Sequence, residues 1–84
     1  MKFCYITFRS VTISQKGEGV LRRAGVFCTL QRTPRWMEEQ GCGYSLRVRY
    51  TDALNAVKLL QQAGVSYRKT YLLRDNGGYE EVVL

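Results

Sequence analysis

The stretch Leu21-Arg22-Arg23-Ala24-Gly25-Val26 returns thirty-nine positions later as Leu60-Gln61-Gln62-Ala63-Gly64-Val65. In both copies an amphipathic segment runs into Ala-Gly and then into β-type residues. Glycine just past the last helical residue supplies the left-handed backbone that ends a helix. Each copy therefore marks a helix stop followed by a strand, and each half of the chain reads strand, helix, strand.

In the first half, Phe3 to Phe8 is rich in aromatic and β-branched residues and reads as a strand. Ser10 is placed to cap a helix over Ser10–Ala24, whose positions Ile13, Gly17, Val20, Leu21 and Ala24 recur at helical spacing and are expected to face the sheet. Gly17 and Gly19 each weaken that helix by roughly 1 kcal/mol relative to alanine. Val26 to Gln31 is the second strand. In the second half, Leu46 to Tyr50 is the third strand, with Leu46, Val48 and Tyr50 inward and Arg47 and Arg49 outward. Thr51 or Asp52 then caps a helix over Thr51–Ala63, with apolar positions Ala53, Ala56, Val57, Leu60 and Ala63. Val65 to Leu73 is the fourth strand.

Two such units in series predict an α+β domain over residues 1–73, a ferredoxin-like βαββαβ sandwich: a four-stranded antiparallel sheet with two helices on one face. Right-handed crossovers place the first and third strands at the centre. Residues 74–84 form a turn and a tail. Asp75-Asn76-Gly77-Gly78 is a strong turn signal before Tyr79 to Leu84, and the tail either adds a C-terminal strand, pairs with a partner or frays.

The chain has 84 residues, 45% of them apolar, enough for one modest core. No run approaches the roughly 20 apolar residues that span a bilayer, and the N-terminus does not resemble a signal peptide, so a cytoplasmic protein without membrane contact is expected. Three cysteines, at positions 4, 28 and 42, form neither a disulfide framework nor a zinc site. The absence of histidine removes Ser-His and Cys-His nucleophilic machinery. The chain does not read as a stand-alone enzyme, and no cofactor or metal is implied. A net charge of +6 favours anionic partners.

The least generic stretch is Arg32-Thr33-Pro34-Arg35-Trp36-Met37-Glu38-Glu39-Gln40-Gly41-Cys42-Gly43-Tyr44-Ser45, longer than a hairpin needs. Gly41 and Gly43 leave the Cys42 sulfur open, and successive N–H groups in such a turn can gather around an anion. Arg32, Arg35 and Arg47 would favour thiolate over thiol at neutral pH. A thiolate so placed can carry a persulfide or sense oxidants, whereas a tight turn that merely contains a small, buried cysteine is the bland alternative. Cys4 and Cys28 alternate with apolar residues on their strands and are expected to be inert core.

The order Thr33-Pro34-Arg35, a short spacer, Gly41-Cys42-Gly43 and then Ser45-Leu46-Arg47 resembles the small bacterial and archaeal family of selenium/sulfur carrier-like proteins. The opening strand and the Ala24-Gly25 helix end fit as well, so the likeness covers roughly residues 3 to 73. The resemblance implies a chalcogen carrier with Cys42 as acceptor, working by transfer through a sulfur- or selenium-handling protein partner.

A reading from another class stays open. The same layout serves RNA-recognition domains, in which sheet aromatics stack bases. Phe3 and Tyr5 beside Arg47 and Arg49 would form a basic, aromatic face for single-stranded nucleic acid, and the same face could instead join two copies in a homodimer. A ligand-sensing regulatory module that dimerises through its sheets is a third option, since fold does not decide function.

Overall fold

A computed structural model describes residues 2–33, 43–74 and 76–84. The elements are β1 (Phe3–Phe8), α1 (Val11–Arg23), β2 (Cys28–Arg32), β3 (Tyr44–Arg49), α2 (Tyr50–Gln62), β4 (Thr70–Leu73) and β5 (Tyr79–Val82). Among the described residues, five strands form one antiparallel sheet in the order β2-β3-β1-β4-β5. This is the expected ferredoxin-like arrangement with β1 and β3 inside, and the tail supplies a fifth strand on the β4 edge. The register Thr70↔Val82 to Leu73↔Tyr79 fixes that strand. Thr70 Oγ1 donates to the Val82 carbonyl, and Arg74 pairs with Glu80 across the turn.

The repeated Ala-Gly element makes the same stop twice. Gly25 and Gly64 take φ of 80° and 73°, the left-handed region that costs glycine nothing. After α1, Val26 N donates to Leu21 O at 2.9 Å and Gly25 N to Arg22 O at 3.0 Å. After α2, Val65 N donates to Leu60 O at 2.9 Å and Gly64 N to Gln61 O at 3.1 Å. These are two Schellman motifs, and in each the apolar residue past the glycine is buried with the leucine it bonds.

Strand alternation puts Cys4, Ile6 and Phe8 of β1 and Leu46 and Val48 of β3 on the helix side, where they join Leu21, Ala53, Ala56, Val57 and Leu60 in one core. Ser10 caps α1 as expected, its side chain accepting from Ile13 N at 3.2 Å. The buried face of α1 is Ser14, Gly17 and Leu21, with Ile13 and Val20 partly covered. Ser14 has no place in the apolar periodicity. Its hydroxyl donates to Val11 O at 2.7 Å, so it enters the core with its polar group satisfied. Ala24 and Ala63, expected to face the sheet, are exposed because each sits at the cap where the chain has already turned away.

Other boundaries shift for identifiable reasons. β2 starts at Cys28, since Val26 is still bonded to the α1 stop. β3 runs from Tyr44 to Arg49, and Tyr50 opens α2 instead of ending the strand, its N–H donating to Lys2 O at 2.9 Å. Tyr50 is therefore exposed, not inward. Neither Thr51 nor Asp52 caps α2. The cap position is Arg49, with no side-chain capping bond, and Asp52 accepts from Arg49 Nε at 3.0 Å. β4 begins only at Thr70. Before it, Arg68 N donates to Thr7 O and Thr7 N to Lys69 O, while the Thr7 hydroxyl donates to Lys69 O and accepts from Lys69 N.

The two α1 glycines differ in kind. A Cβ on Gly17 would lie 3.2 Å from Leu60 Cδ2, 3.2 Å from Phe8 Cζ and 3.3 Å from Leu46 Cδ1, whereas one on Gly19 would meet only the Arg23 guanidinium at 3.7 Å. Urea denaturation should separate them. Gly17→Val is expected to cost about 1–3 kcal/mol through overpacking, and Gly19→Ala to add up to about 1 kcal/mol through helix propensity. Equal responses would mean that the approach at Gly17 is not a constraint.

Candidate functional site

β2 and β3 frame the candidate site. Their register runs Cys28↔Val48, Leu30↔Leu46, Gln31↔Ser45 and Arg32↔Tyr44, and one step further Thr33 N donates to Gly43 O at 3.0 Å. Thr33 and Gly43 are both buried. Thr33 and Gly43 thus extend the ladder by one step and stand about 5 Å apart across it. Arg35, Gly41 and Cys42, named from the sequence, lie outside the described residues, as do Pro34 and Trp36. Gly43, the neighbour of Cys42, is the described residue nearest to that cysteine in the chain.

Arg32 and Arg47, two of the arginines expected to serve Cys42, do not share a surface. Arg32 ends β2 on the parity of Cys28 and Leu30, the helix side, while Arg47 has the opposite parity in β3 and stands on the helix-free face. The Arg47 guanidinium carbon lies 4.6 Å from the Phe3 ring centroid, an attractive cation–π geometry. Arg47 is four residues along the strand from Gly43, about 13 Å at the usual strand rise.

Two residues of the sequence pattern that have no expected role, Thr33 and Ser45, flank the segment. Ser45 is fully buried and Thr33 nearly so, and among the described residues neither hydroxyl oxygen has a hydrogen-bond partner. Both lie on the helix-free parity, Ser45 between Gln31 and Thr7. The pattern that carries the family resemblance contains both, but does not show that they are buried. Their burial becomes visible only once the ladder register is known.

Phe3, Tyr5, Arg47 and Arg49, the residues of the nucleic-acid reading, share the helix-free face through the pairs Phe3↔Arg49 and Tyr5↔Arg47. Tyr5 is buried there, Arg47 covers Phe3, and Arg49 pairs with Asp52 at 3.0 Å. A base stacking on this surface would have to displace those contacts.

Cys4 and Cys28 lie in the core on one inner row, each opposite Val48 from its own side. Two strand spacings, about 9–10 Å, separate them, beyond the reach of a disulfide. Burial pushes the Cys4 thiol from an ordinary 9.0 up to about 11. Burial also raises Cys28, partly offset by the nearby Arg22 guanidinium, which donates to the Cys28 carbonyl at 3.4 Å.

The family model described as "Putative Se/S carrier protein-like" matches residues 3–72. The chain belongs to this Se/S carrier-like family. The match takes in both helices, β1 to β3, the Cys42 segment and all but the last residue of β4, and it ends before β5. No curated protein and no solved structure matches the chain. Among the described residues no helix is long and apolar enough to cross a membrane.

The raised Cys4 thiol has a consequence for stability. Between pH 9 and about 11 the unfolded chain releases the Cys4 proton while the folded chain keeps it, so stability is full below pH 9 and falls as pH rises through that window. To isolate this contribution, the comparison is with Cys4→Ala. That variant is expected to be less stable at pH 7, from the lost packing, but to show a shallower alkaline decline in urea midpoints. Parallel declines would mean that Cys4 is not protected.

Proposed function

We propose that this protein carries a sulfur or selenium atom on Cys42, receiving it from one protein and passing it to another. The reading is supported most by membership of the Se/S carrier-like family over a match that includes Cys42. Elimination adds to it. Cys4 and Cys28 are buried in the core with raised thiol pKa values, and a protonated, inaccessible thiol is a poor nucleophile.

In the transfer step the Cys42 thiolate attacks the outer sulfur of a donor persulfide. The donor S–S bond breaks, its inner sulfur leaves as a thiolate, and a new S–S bond forms on Cys42 with the terminal sulfur carrying the charge. One thiolate replaces another, so no oxidant or reductant enters. Delivery is the same displacement by an acceptor thiolate, and selenium follows the same balance. Arg35 would hold the negative charge, helped by whichever of Arg32 and Arg47 stands on the face that Cys42 takes, and Gly41 and Gly43 would leave room for the added atom. The same thiolate would make Cys42 responsive to oxidants.

Incubation with glutathione persulfide, followed by intact and peptide mass spectrometry, tests the reading. The protein should gain a single sulfur atom on the peptide containing Cys42. Cys42→Ser should abolish the gain, while Cys4→Ala and Cys28→Ala keep it. Loading that persists in Cys42→Ser, or that falls on Cys4 or Cys28, sinks the proposal.

A further inference from the structure

Where β1 passes into α1, a groove of about 570 Å³ is lined by Arg9, Ile13, Ser66, Tyr67, Arg68 and Lys69. Two chain segments far apart in sequence build it, brought together by the bond from Arg68 N to Thr7 O at 2.7 Å and by the double engagement of the Thr7 hydroxyl with Lys69. Phe8 stands opposite Tyr44, so the groove lies at the end of the sheet from which the Cys42 segment springs.

The charges in it are not balanced. Lys69 pairs with Glu81 at 3.6 Å, but among the described residues neither Arg9 nor Arg68 has a carboxylate within ion-pair distance. Both are exposed. The first turn of α1, which contributes Ile13 to the lining, holds no acidic residue, so nothing there offsets the positive end of the helix dipole. Two guanidiniums without an ion-pair partner among the described residues offer paired N–H donors whose geometry fits a tetrahedral oxyanion. Ser66 and Tyr67 add hydroxyls, and Ile13 with the Tyr67 ring adds an apolar wall. The volume falls within the usual range for small-molecule sites.

We propose that this groove is a binding site for a phosphate-class oxyanion, with Arg9 and Arg68 as its principal ligands. The site goes beyond the carrier reading, and none of its named residues belongs to the Cys42 segment. The phosphate is either free or the head of a small phosphate monoester, whose organic part would rest on Ile13 and Tyr67.

The test is a titration of the full chain, followed by ¹H–¹⁵N correlation spectra, with inorganic phosphate and with sodium chloride at matched ionic strength. Phosphate should give saturable shifts centred on residues 9–14 and 66–69, and chloride should not. Arg9→Gln and Arg68→Gln should each weaken phosphate about tenfold, and the double variant should abolish saturation while leaving the other signals in place. Ser66→Glu, which puts a like charge into the groove, should do the same without touching either arginine. Glycerol phosphate then separates the sources: equal affinity assigns the site to free phosphate, and tighter binding assigns it to an ester. Cys42→Ser should bind phosphate unchanged, so a failed carrier reading leaves this result intact, and the reverse holds as well. Equal responses to chloride and phosphate, or saturable binding that survives in the double arginine variant, overturn the proposal.

Discussion

The fold turns on the absence of a side chain at Gly17. Phe8 from β1, Leu46 from β3 and Leu60 from α2 all close on that point, within 3.2–3.3 Å of where a Cβ would stand. Four elements therefore meet at one helix position, and the two central strands are held against both helices there. Around it Ile6, Phe8, Leu21, Leu46, Ala56 and Leu60 are essentially solvent-free. A glycine inside a helix is unfavourable by itself. Here the close approach it permits, with dispersion contacts on every side, offsets that local cost.

The twin Schellman stops fix where the chain leaves each helix. Both helices end with their last buried leucine bonded to the first buried valine after the glycine. The chain thus returns towards the sheet at the same phase in both halves. That is why the echo between residues 21–26 and 60–65 is the most legible feature of the sequence: it encodes a hydrogen-bond pattern and a hydrophobic contact together. The Ser10 cap is legible for a similar reason, because one side chain completes one turn.

What the sequence hides lies where two local rules compete. Tyr50 fits the inward parity of β3, yet the pairing of its N–H with Lys2 and the Arg49–Asp52 ion pair start α2 one residue earlier. Ser14 is invisible to a hydrophobic periodicity because it satisfies its own hydroxyl within the helix. At the candidate site, counting along the chain gathers Arg32 and Arg47 around Cys42, but the pleat sends them to opposite faces. Charge proximity in sequence is a poor guide in strands, where each residue inverts direction. The Arg9–Arg68 groove is harder still, since its halves lie far apart in the sequence and are brought together by the β1–β4 pairing and the Thr7 bonds.

The placement of the cysteines bears on what a carrier needs. A loaded persulfide is itself open to thiolate attack, so any second reactive thiol on the same chain would divert the cargo or close a disulfide. Cys4 and Cys28 are kept from both. Val48 stands between them on the inner row, which holds them about two strand spacings apart, and burial holds their protons on. Replacing either by serine would place a hydroxyl in an apolar core, and replacing it by valine would add bulk near Val48, so cysteine fits there as a small apolar residue. On the carrier reading, the same packing that builds the core confines exchange chemistry to Cys42. On that reading the constraint is kinetic as well as structural: a core that takes no part in transfer would leave the cargo a single thiol to occupy.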